Sequence, residues 1–288
     1  MSKIQSPEEI LEFKPPPASL LRARTALARA YFNPCFMGLE TFNPKRPALW
    51  VGNHTLYGLL DVPLMIEHIY SQHGILLRGL GDRGHFRLPG WGSILAEAGA
   101  VLGSPEHCAA LMEAGQHILV FPGGGREVMR RKGEAYQLIW KQRTGFARLA
   151  IEHGYDIIPF GSVGPDENFK ILLDARDISE SRLWKLLNQR LPLDAHTRNG
   201  DMIPPLARGL GLSVLPRPQR YYFSFGKRIR TSQFKRDASD SKAVWAIRER
   251  VARAVEAEIA RLKEYRQGDR KKHWSALRRW LAPLQESS

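Results

Sequence analysis

Short apolar runs alternate with amphipathic segments through the central part of the chain. The apolar runs predict buried strands at Ala48–Val51, Ile75–Leu80, Ile118–Phe121, Ile157–Phe160 and Tyr221–Phe225. Apolar residues at helical spacing between them predict helices at Gly58–Gln72, from Ser104 to Gly115, and at Thr144–His153. Because strands that alternate with helices pack as a parallel sheet, the pattern predicts an α/β fold. We expect one domain, a largely parallel sheet flanked by helices.

The two ends of the chain differ from this central domain, which we place at residues 45–266. Residues 1–44 are predicted to form an N-terminal segment with an amphipathic helix at Ala18–Phe32. One face of that helix carries Leu20, Leu27 and Tyr31. Such a helix either packs on the domain or lies on lipid, and the sequence leaves both open.

The last part of the domain is predicted to be a long helix, Ser241–Arg266, with a core-facing apolar stripe. Residues 267–288 are predicted to form a basic amphipathic tail. One side of its helical wheel carries Trp274, Leu277, Trp280, Leu281 and Leu284. This pattern favours an interfacial helix, while docking on the domain or on a partner chain remains open. Asp174–Pro218 is rich in proline and predicts an irregular segment that covers the sheet and shapes a substrate entrance.

The charge balance changes the picture of the partners. Lys and Arg number 43 against 29 Asp and Glu, a net charge of +14, which favours a polyanionic partner. The basic residues are spread along the chain and no nucleic-acid-binding motif is present, so we expect an anionic membrane surface and not nucleic acid. No apolar run approaches the roughly 20 residues that span a bilayer. We therefore expect a cytoplasmic protein attached peripherally to a membrane.

Two polar residues after the first predicted strand are candidates for catalysis. His54 follows Gly52 and Asn53, and Asp61 lies seven residues further on. If both residues lie on the predicted helix, that spacing is two turns and puts them on one face. A carboxylate there would orient the imidazole as a general base. An ordinary structural histidine and an exposed aspartate remain the alternatives.

A glycine-rich segment follows the third predicted strand. Gly123, Gly124 and Gly125 come directly after Phe121-Pro122, and Arg126 and Glu127 follow. Backbone N–H groups in such a segment can approach an oxyanion or a phosphate, and an Arg126–Glu127 ion pair would anchor it. A plain tight turn fits equally well. Two cysteines, neither in a CxxC pair, and no His/Cys spacing typical of zinc predict a reducing compartment and no structural zinc.

In sequence order, these segments resemble the four motif blocks of the PlsC-type glycerolipid acyltransferases. The blocks are Gly52-Asn53-His54 with Asp61, Phe86–Gly92, Phe121–Glu127 and Ile157–Phe160. The triple-glycine Arg-Glu block is similar to the monoacylglycerol/diacylglycerol acyltransferase-like branch. The resemblance covers roughly residues 45–235.

The resemblance implies a reaction and a set of roles. His54 would deprotonate an acceptor hydroxyl, Asp61 would orient it, and the hydroxyl would attack the thioester of acyl-CoA or acyl carrier protein. Asn53 and the segment Gly123–Glu127 would bind substrate or the tetrahedral oxyanion. No metal or cofactor is needed.

Two departures from the family pattern shape the expected substrate. The family places four residues between the histidine and the acid, whereas six separate His54 from Asp61. In the lysophosphatidate branch the second block ends in an arginine that would hold an acceptor phosphate, whereas the corresponding region here, Gly99–Ser104, contains none. We therefore expect a neutral acceptor, a partial glyceride or a long-chain alcohol. The alternatives are a lysophospholipid acyltransferase, a lipid esterase, although GxSxG is missing, and a non-catalytic lipid-binding protein.

Overall fold

The computed structural model describes residues 5–272, apart from 41, 83, 85, 87–90, 192–196, 199, 235 and 236. Its strands are β1 Cys35–Met37, β2 Ala48–Gly52, β3 Arg78–Gly81, β4 Val101–Leu102, β5 Ile118–Val120, β6 Asp156–Val163, β7 Lys170–Leu173, β8 Leu206–Arg208 and β9 Tyr222–Phe225. Its α-helices are α1 Ala18–Arg24, α2 Ala26–Phe32, α3 Val62–His73, α4 Trp91–Glu97, α5 Pro105–Glu113, α6 Gly124–Val128, α7 Gly145–Glu152, α8 Ala175–Glu180, α9 Arg182–Asn188 and α10 Ser241–Gly268.

Seven strands form one sheet in the order β1-β9-β6-β2-β5-β3-β4. Strand β2 lies at its centre and pairs in parallel with β5 and β6. The β6–β9 pair is antiparallel, and β1 pairs in parallel with β9. The predicted α/β fold with a largely parallel sheet is confirmed. The first strand comes from residues that the sequence division placed in the N-terminal segment.

Two apolar layers cover the sheet, one on each face. Alternation along β2 sends Leu49 and Val51 into one layer and Ala48 and Trp50 into the other, which is why the whole strand is buried. The first layer is completed by α5, α7 and α10. The stripe predicted for the last helix is confirmed. Its buried members are Val244, Ile247, Val251, Val255, Ile259 and Leu262.

The N-terminal helix was predicted as one element and is two. It breaks at Thr25, whose buried hydroxyl donates to the backbone carbonyl of Leu21. Within α2 the side chain of Phe32 is buried, whereas that of Leu27, on the predicted apolar face, is 83% exposed and does not pack on the domain. The predicted interfacial tail has no described residue after Lys272, so its helix lies outside the described part of the chain.

A small two-stranded sheet organises the segment between β6 and β9. We call residues 170–217 the excursion. Its strands β7 and β8 pair antiparallel, and α8 and α9 lie between them in sequence. Asp174 caps α8 by accepting from the backbone N–H groups of Arg176 and Asp177. Of the helices in the described ranges, none is long and apolar enough to cross a membrane.

Candidate active site

The loop after β2 carries the first candidate residue at the carboxyl edge of the sheet. Strands β5 and β6 flank β2 in parallel, so all three end at this edge. His54 follows β2 directly, and its side chain is partly exposed. The next residues turn sharply, with Tyr57 at φ 61° and Gly58 at φ 62°.

The imidazole of His54 is held between an aromatic ring and a glycine. Its ring stacks on Phe121, with centroids 4.0 Å apart and an interplanar angle of 15°. On another side, a Cβ added at Gly58 would lie 2.2 Å from Cε1 of His54. The Nδ1 atom is shielded from solvent. The ring therefore has a narrow choice of orientations, and position 58 requires glycine for both space and backbone angle.

Buried charged groups hold the backbone of this loop. The N–H of His54 donates to Oε2 of Glu127 at 3.3 Å, and its carbonyl accepts from Nη2 of Arg130 at 2.6 Å. The N–H of Leu56 donates to Oδ1 of Asp166 at 2.7 Å. Arg130 and Asp166 form a buried ion pair at 3.1 Å. Charge-assisted bonds from both sides thus fix the path of the main chain around the imidazole.

Asn53 joins the ends of β2 and β6. Its side-chain amide donates to the carbonyl of Ser162 at 3.0 Å and its side-chain oxygen accepts the N–H of the same residue at 2.8 Å. The side chain is fully buried. This placement makes Asn53 a residue that positions His54. Its predicted contact with substrate would have to come from the main chain.

Asp61 lies beside this loop in a buried hydroxyl-lined position. Oδ1 accepts from Thr55 and Oδ2 from Ser162, both at 3.0 Å. Burial raises the pKa of the Asp61 carboxyl, and the two hydroxyl donors oppose that rise. Helix α3 begins only at Val62, so the predicted helix start at residue 58 and the two-turn argument are wrong. The carboxylate reaches His54 through its neighbour Thr55.

The glycine segment leads into a short helix, and its glycines have close side-chain neighbours. A Cβ at Gly123 would meet the carboxylate of Glu127 at 2.1 Å. A Cβ at Gly125 would meet the sulfur of Met202 at 2.6 Å. A Cβ at Gly124, where φ is +49°, would meet the guanidinium of Arg143 at 3.0 Å. The side-chain directions of this segment are therefore filled by protein atoms. Its predicted part in binding an oxyanion rests on backbone groups alone.

Arg126 and Glu127 have different partners from the predicted ion pair. Arg126 is buried and bonds Glu134 through both terminal nitrogens, at 2.6 and 3.0 Å. Its Nε lies 3.5 Å from Asp201. Glu127 accepts the main-chain N–H groups of His54 and Ile139. Consecutive residues of a helix point in different directions, so the two side chains diverge.

Burial removes the carboxyl of Glu127 from water and raises its pKa to about 7, although the nearby charge of Arg130 and the two N–H donors oppose that rise. Two further arginines of the described part of the chain also bond to main-chain carbonyls near the site. Arg130 also donates to the carbonyls of Glu134 and Gln137, and Arg143 donates to those of Pro122 and Gly123.

Four residues that position the site were not identified from the sequence: Thr55, Arg130, Ser162 and Asp166. Ser162 lies on β6, where the sequence shows mainly an apolar run, and its polar side chain inside that run is the signal for a buried bond. Arg130 lies in a loop and Asp166 in a single 3-10 turn, Pro165–Glu167, and no spacing rule connects them. In the second motif block, residues 87–90 lie outside the described residues.

Residues 33–163 match the model of the family described as Acyltransferase, a range that holds His54, Asp61 and the glycine segment. This part of the chain is an acyltransferase domain. It is similar to phytyl ester synthase 2 of Arabidopsis thaliana, 31% identical over 82% of this chain and 35% of that protein. Phytyl ester synthase 1 of the same plant is 29% identical over 81% and 34%.

The chain is also similar to a mouse protein, the DGAT1/2-independent enzyme synthesizing storage lipids. The two are 30% identical over 58% of this chain and 51% of the mouse protein. The chain thus spans about a third of the length of the two plant relatives. The crystal structure of the 1-acyl-sn-glycerophosphate acyltransferase PlsC from Thermotoga maritima is also similar, with a TM-score of 0.48 and 14% identity. That likeness covers 85% of this chain and 79% of the other.

Proposed function

We propose that this acyltransferase transfers a fatty acyl group from a thioester, acyl-CoA or acyl carrier protein, to the hydroxyl of a neutral lipid at a membrane surface. One observation carries the choice of a neutral acceptor. The guanidinium groups of Arg126, Arg130 and Arg143 all bond to protein acceptors. Among the described residues around the loop, the arginines are thus already occupied by carboxylates and carbonyls, which disfavours a phosphate-bearing acceptor.

His54 is the general base of the proposed reaction. Because Nδ1 is shielded, we assign the base to Nε2. Nε2 takes the proton of the acceptor hydroxyl, and the oxygen bonds to the thioester carbonyl carbon. The tetrahedral intermediate then collapses, the C–S bond breaks, and the leaving thiolate takes the proton back from the imidazolium. The backbone N–H groups of Gly123 and Gly125 are proposed to stabilise the oxyanion, since that of Gly124 donates to the carbonyl of Phe121.

Asp61 and Asn53 act on His54 indirectly in this proposal. Asp61 holds the loop through the hydroxyl of Thr55, and Asn53 ties the loop to β6. They are positioning residues, whose loss disturbs the place of the base without removing it. The names of the relatives support a neutral acceptor. Two are named for phytyl esters, esters of a long-chain alcohol, and one for storage lipids.

The test incubates the enzyme with radiolabelled acyl-CoA, or acyl carrier protein, and separate acceptors, with products separated by thin-layer chromatography. Long-chain alcohols and monoacylglycerol represent neutral acceptors, and lysophosphatidate a phosphorylated one. We expect a neutral ester product that His54→Ala abolishes. Asp61→Asn should retain part of the activity. His153→Ala, a partly exposed histidine at the end of α7, serves as the matched control.

Other outcomes contradict separate parts of the proposal. A phosphorylated product in preference to a neutral ester would refute the neutral acceptor. Release of free fatty acid alone would identify an esterase. Equal activity of His54→Ala and wild type would refute the assigned base.

A further inference from the structure

Helix α9 of the excursion exposes an apolar stripe. Leu183, Leu186 and Leu187 follow helical spacing and continue to Leu191, and a stripe of this kind normally faces a core. In α9 no residue is buried. The leucine side chains at 183, 186 and 191 are 66%, 57% and 54% exposed. An amphipathic helix with its apolar side in water needs something to cover it.

The turn that follows β8 repeats the feature. Leu212 and Val214 are 89% and 83% exposed, and Leu215 is also exposed. Backbone hydrogen bonds close this turn. The N–H of Gly209 donates to the carbonyl of Ser213, and the N–H of Leu210 to that of Leu215. These apolar residues therefore stand outward on an ordered turn.

The charges of α9 have one sign. Arg182, Lys185 and Arg190 lie among the exposed leucines, and no acidic residue occurs from 181 to 191. Trp184 lies in the same helix. Leucine and tryptophan beside lysine and arginine make up the composition of helices that lie in the interface of anionic bilayers. A second copy of the chain would bring these cations against their own equivalents in a two-fold contact, which is unfavourable.

The excursion also borders the candidate active site. Met202 lies against Gly125, and Asp201 pairs with Arg126. The hydroxyl of Tyr57 donates to the carbonyl of Pro205 at 2.8 Å, three residues after His54. The excursion thus contacts both the glycine segment and the loop that carries His54.

We propose that the excursion docks the enzyme on an anionic lipid bilayer. The exposed leucines of α9 and the apolar turn at 212–215 enter the acyl-chain boundary, and Arg182, Lys185 and Arg190 contact lipid phosphates. A neutral lipid acceptor then reaches His54 from the bilayer. The choice of lipid as the binding partner of the excursion rests on the proposed function. The test of binding does not, because it requires no enzymatic activity.

The experiment measures flotation of the full chain with vesicles of phosphatidylcholine mixed with phosphatidylglycerol, beside vesicles of phosphatidylcholine alone. Two double variants, Leu183→Glu with Leu186→Glu and Leu212→Glu with Val214→Glu, test the two elements separately. Because each leucine withdrawn from an apolar phase costs roughly a factor of ten in partition, we expect each pair to weaken binding at least about tenfold. All four side chains are exposed, so circular dichroism and the melting temperature should match wild type.

The matched control is Leu27→Glu, a leucine of comparable exposure on α2. We expect it to keep vesicle binding, and His54→Ala to bind as wild type does. The proposal is overturned if Leu27→Glu loses binding while both excursion variants keep it, because the N-terminal helix is then the anchor. It is also overturned if wild type does not float with vesicles and instead forms a dimer that the α9 double variant no longer forms.

Discussion

The buried carboxyl of Glu127 makes the stability of this protein depend on pH in a defined window. Its side chain is fully buried, and burial raises its pKa from 4.5 to about 7. In Glu127→Gln the group cannot ionise. The amide instead places a donor against one of two main-chain N–H groups, those of His54 and Ile139, a cost that does not vary with pH. The pH-dependent part of the difference between the two proteins therefore reports the carboxyl alone.

The sign follows from proton binding in the two states. Between pH 4.5 and about 7 the unfolded carboxyl is ionised while the folded one keeps its proton, so wild-type stability falls as pH rises through this window. Each unit of pKa corresponds to about 1.4 kcal/mol, so the raised pKa of Glu127 lowers the free energy of unfolding of wild type by about 3 kcal/mol across this window. Glu127→Gln avoids this loss. Its free energy of unfolding relative to wild type should rise by about 3 kcal/mol across the window and level off above it.

The assay is chemical denaturation of both proteins at a series of values from about pH 4 to about pH 8. Glu264→Gln, which changes an exposed glutamate of α10, serves as the control for the exchange of acid for amide. A difference between Glu127→Gln and wild type that stays constant over the whole range would refute the reasoning. The Glu127 carboxyl would then ionise equally in the folded and unfolded chain.

Two further predictions concern the loop that carries the base. Gly58→Ala should lower kcat about 100-fold, because the new methyl displaces the imidazole of His54. Gly74→Ala is the control, since it has a similar φ of 69° but open space around it and should share only the backbone strain. Equal losses of kcat in the two variants would contradict this prediction. Arg130→Met leaves Asp166 buried without its cation and should lower the free energy of unfolding by about 3–5 kcal/mol, measured by urea denaturation at neutral pH. A loss below about 1 kcal/mol would show that the ion pair contributes little to stability.

The central sheet could be predicted because its strands are short, apolar and fully buried. Ala48–Val51 and Ile157–Phe160 show this most clearly, and each begins or ends within a few residues of the observed strand. The start of α3 was missed although the sequence holds a signal for it. Pro63 fits the first turn of a helix and Asp61 the position before it, which places the start at Val62.

Pairings between distant polar residues could not be predicted in the same way. Glu134 and Asp201 reach Arg126 from loops whose paths depend on the folded domain. The hydroxyl of Ser162 finds Asp61 only after β2 and β6 have paired. Sequence spacing predicts neighbours along one helix or strand. Bonds that cross elements follow from packing, and no local pattern encodes them.

The bonds around His54 have a consequence for the order in which the chain folds. Its loop is held by Glu127 and Arg130, 73 and 76 residues away, and by Asp166, 110 residues from Leu56. Contacts of such separation form late, once the loop-closure entropy has been overcome. A nascent chain that has emerged only as far as β5 therefore carries the histidine without its surroundings. On the proposed function, we expect chains that end before β6 to be inert towards lipid thioesters.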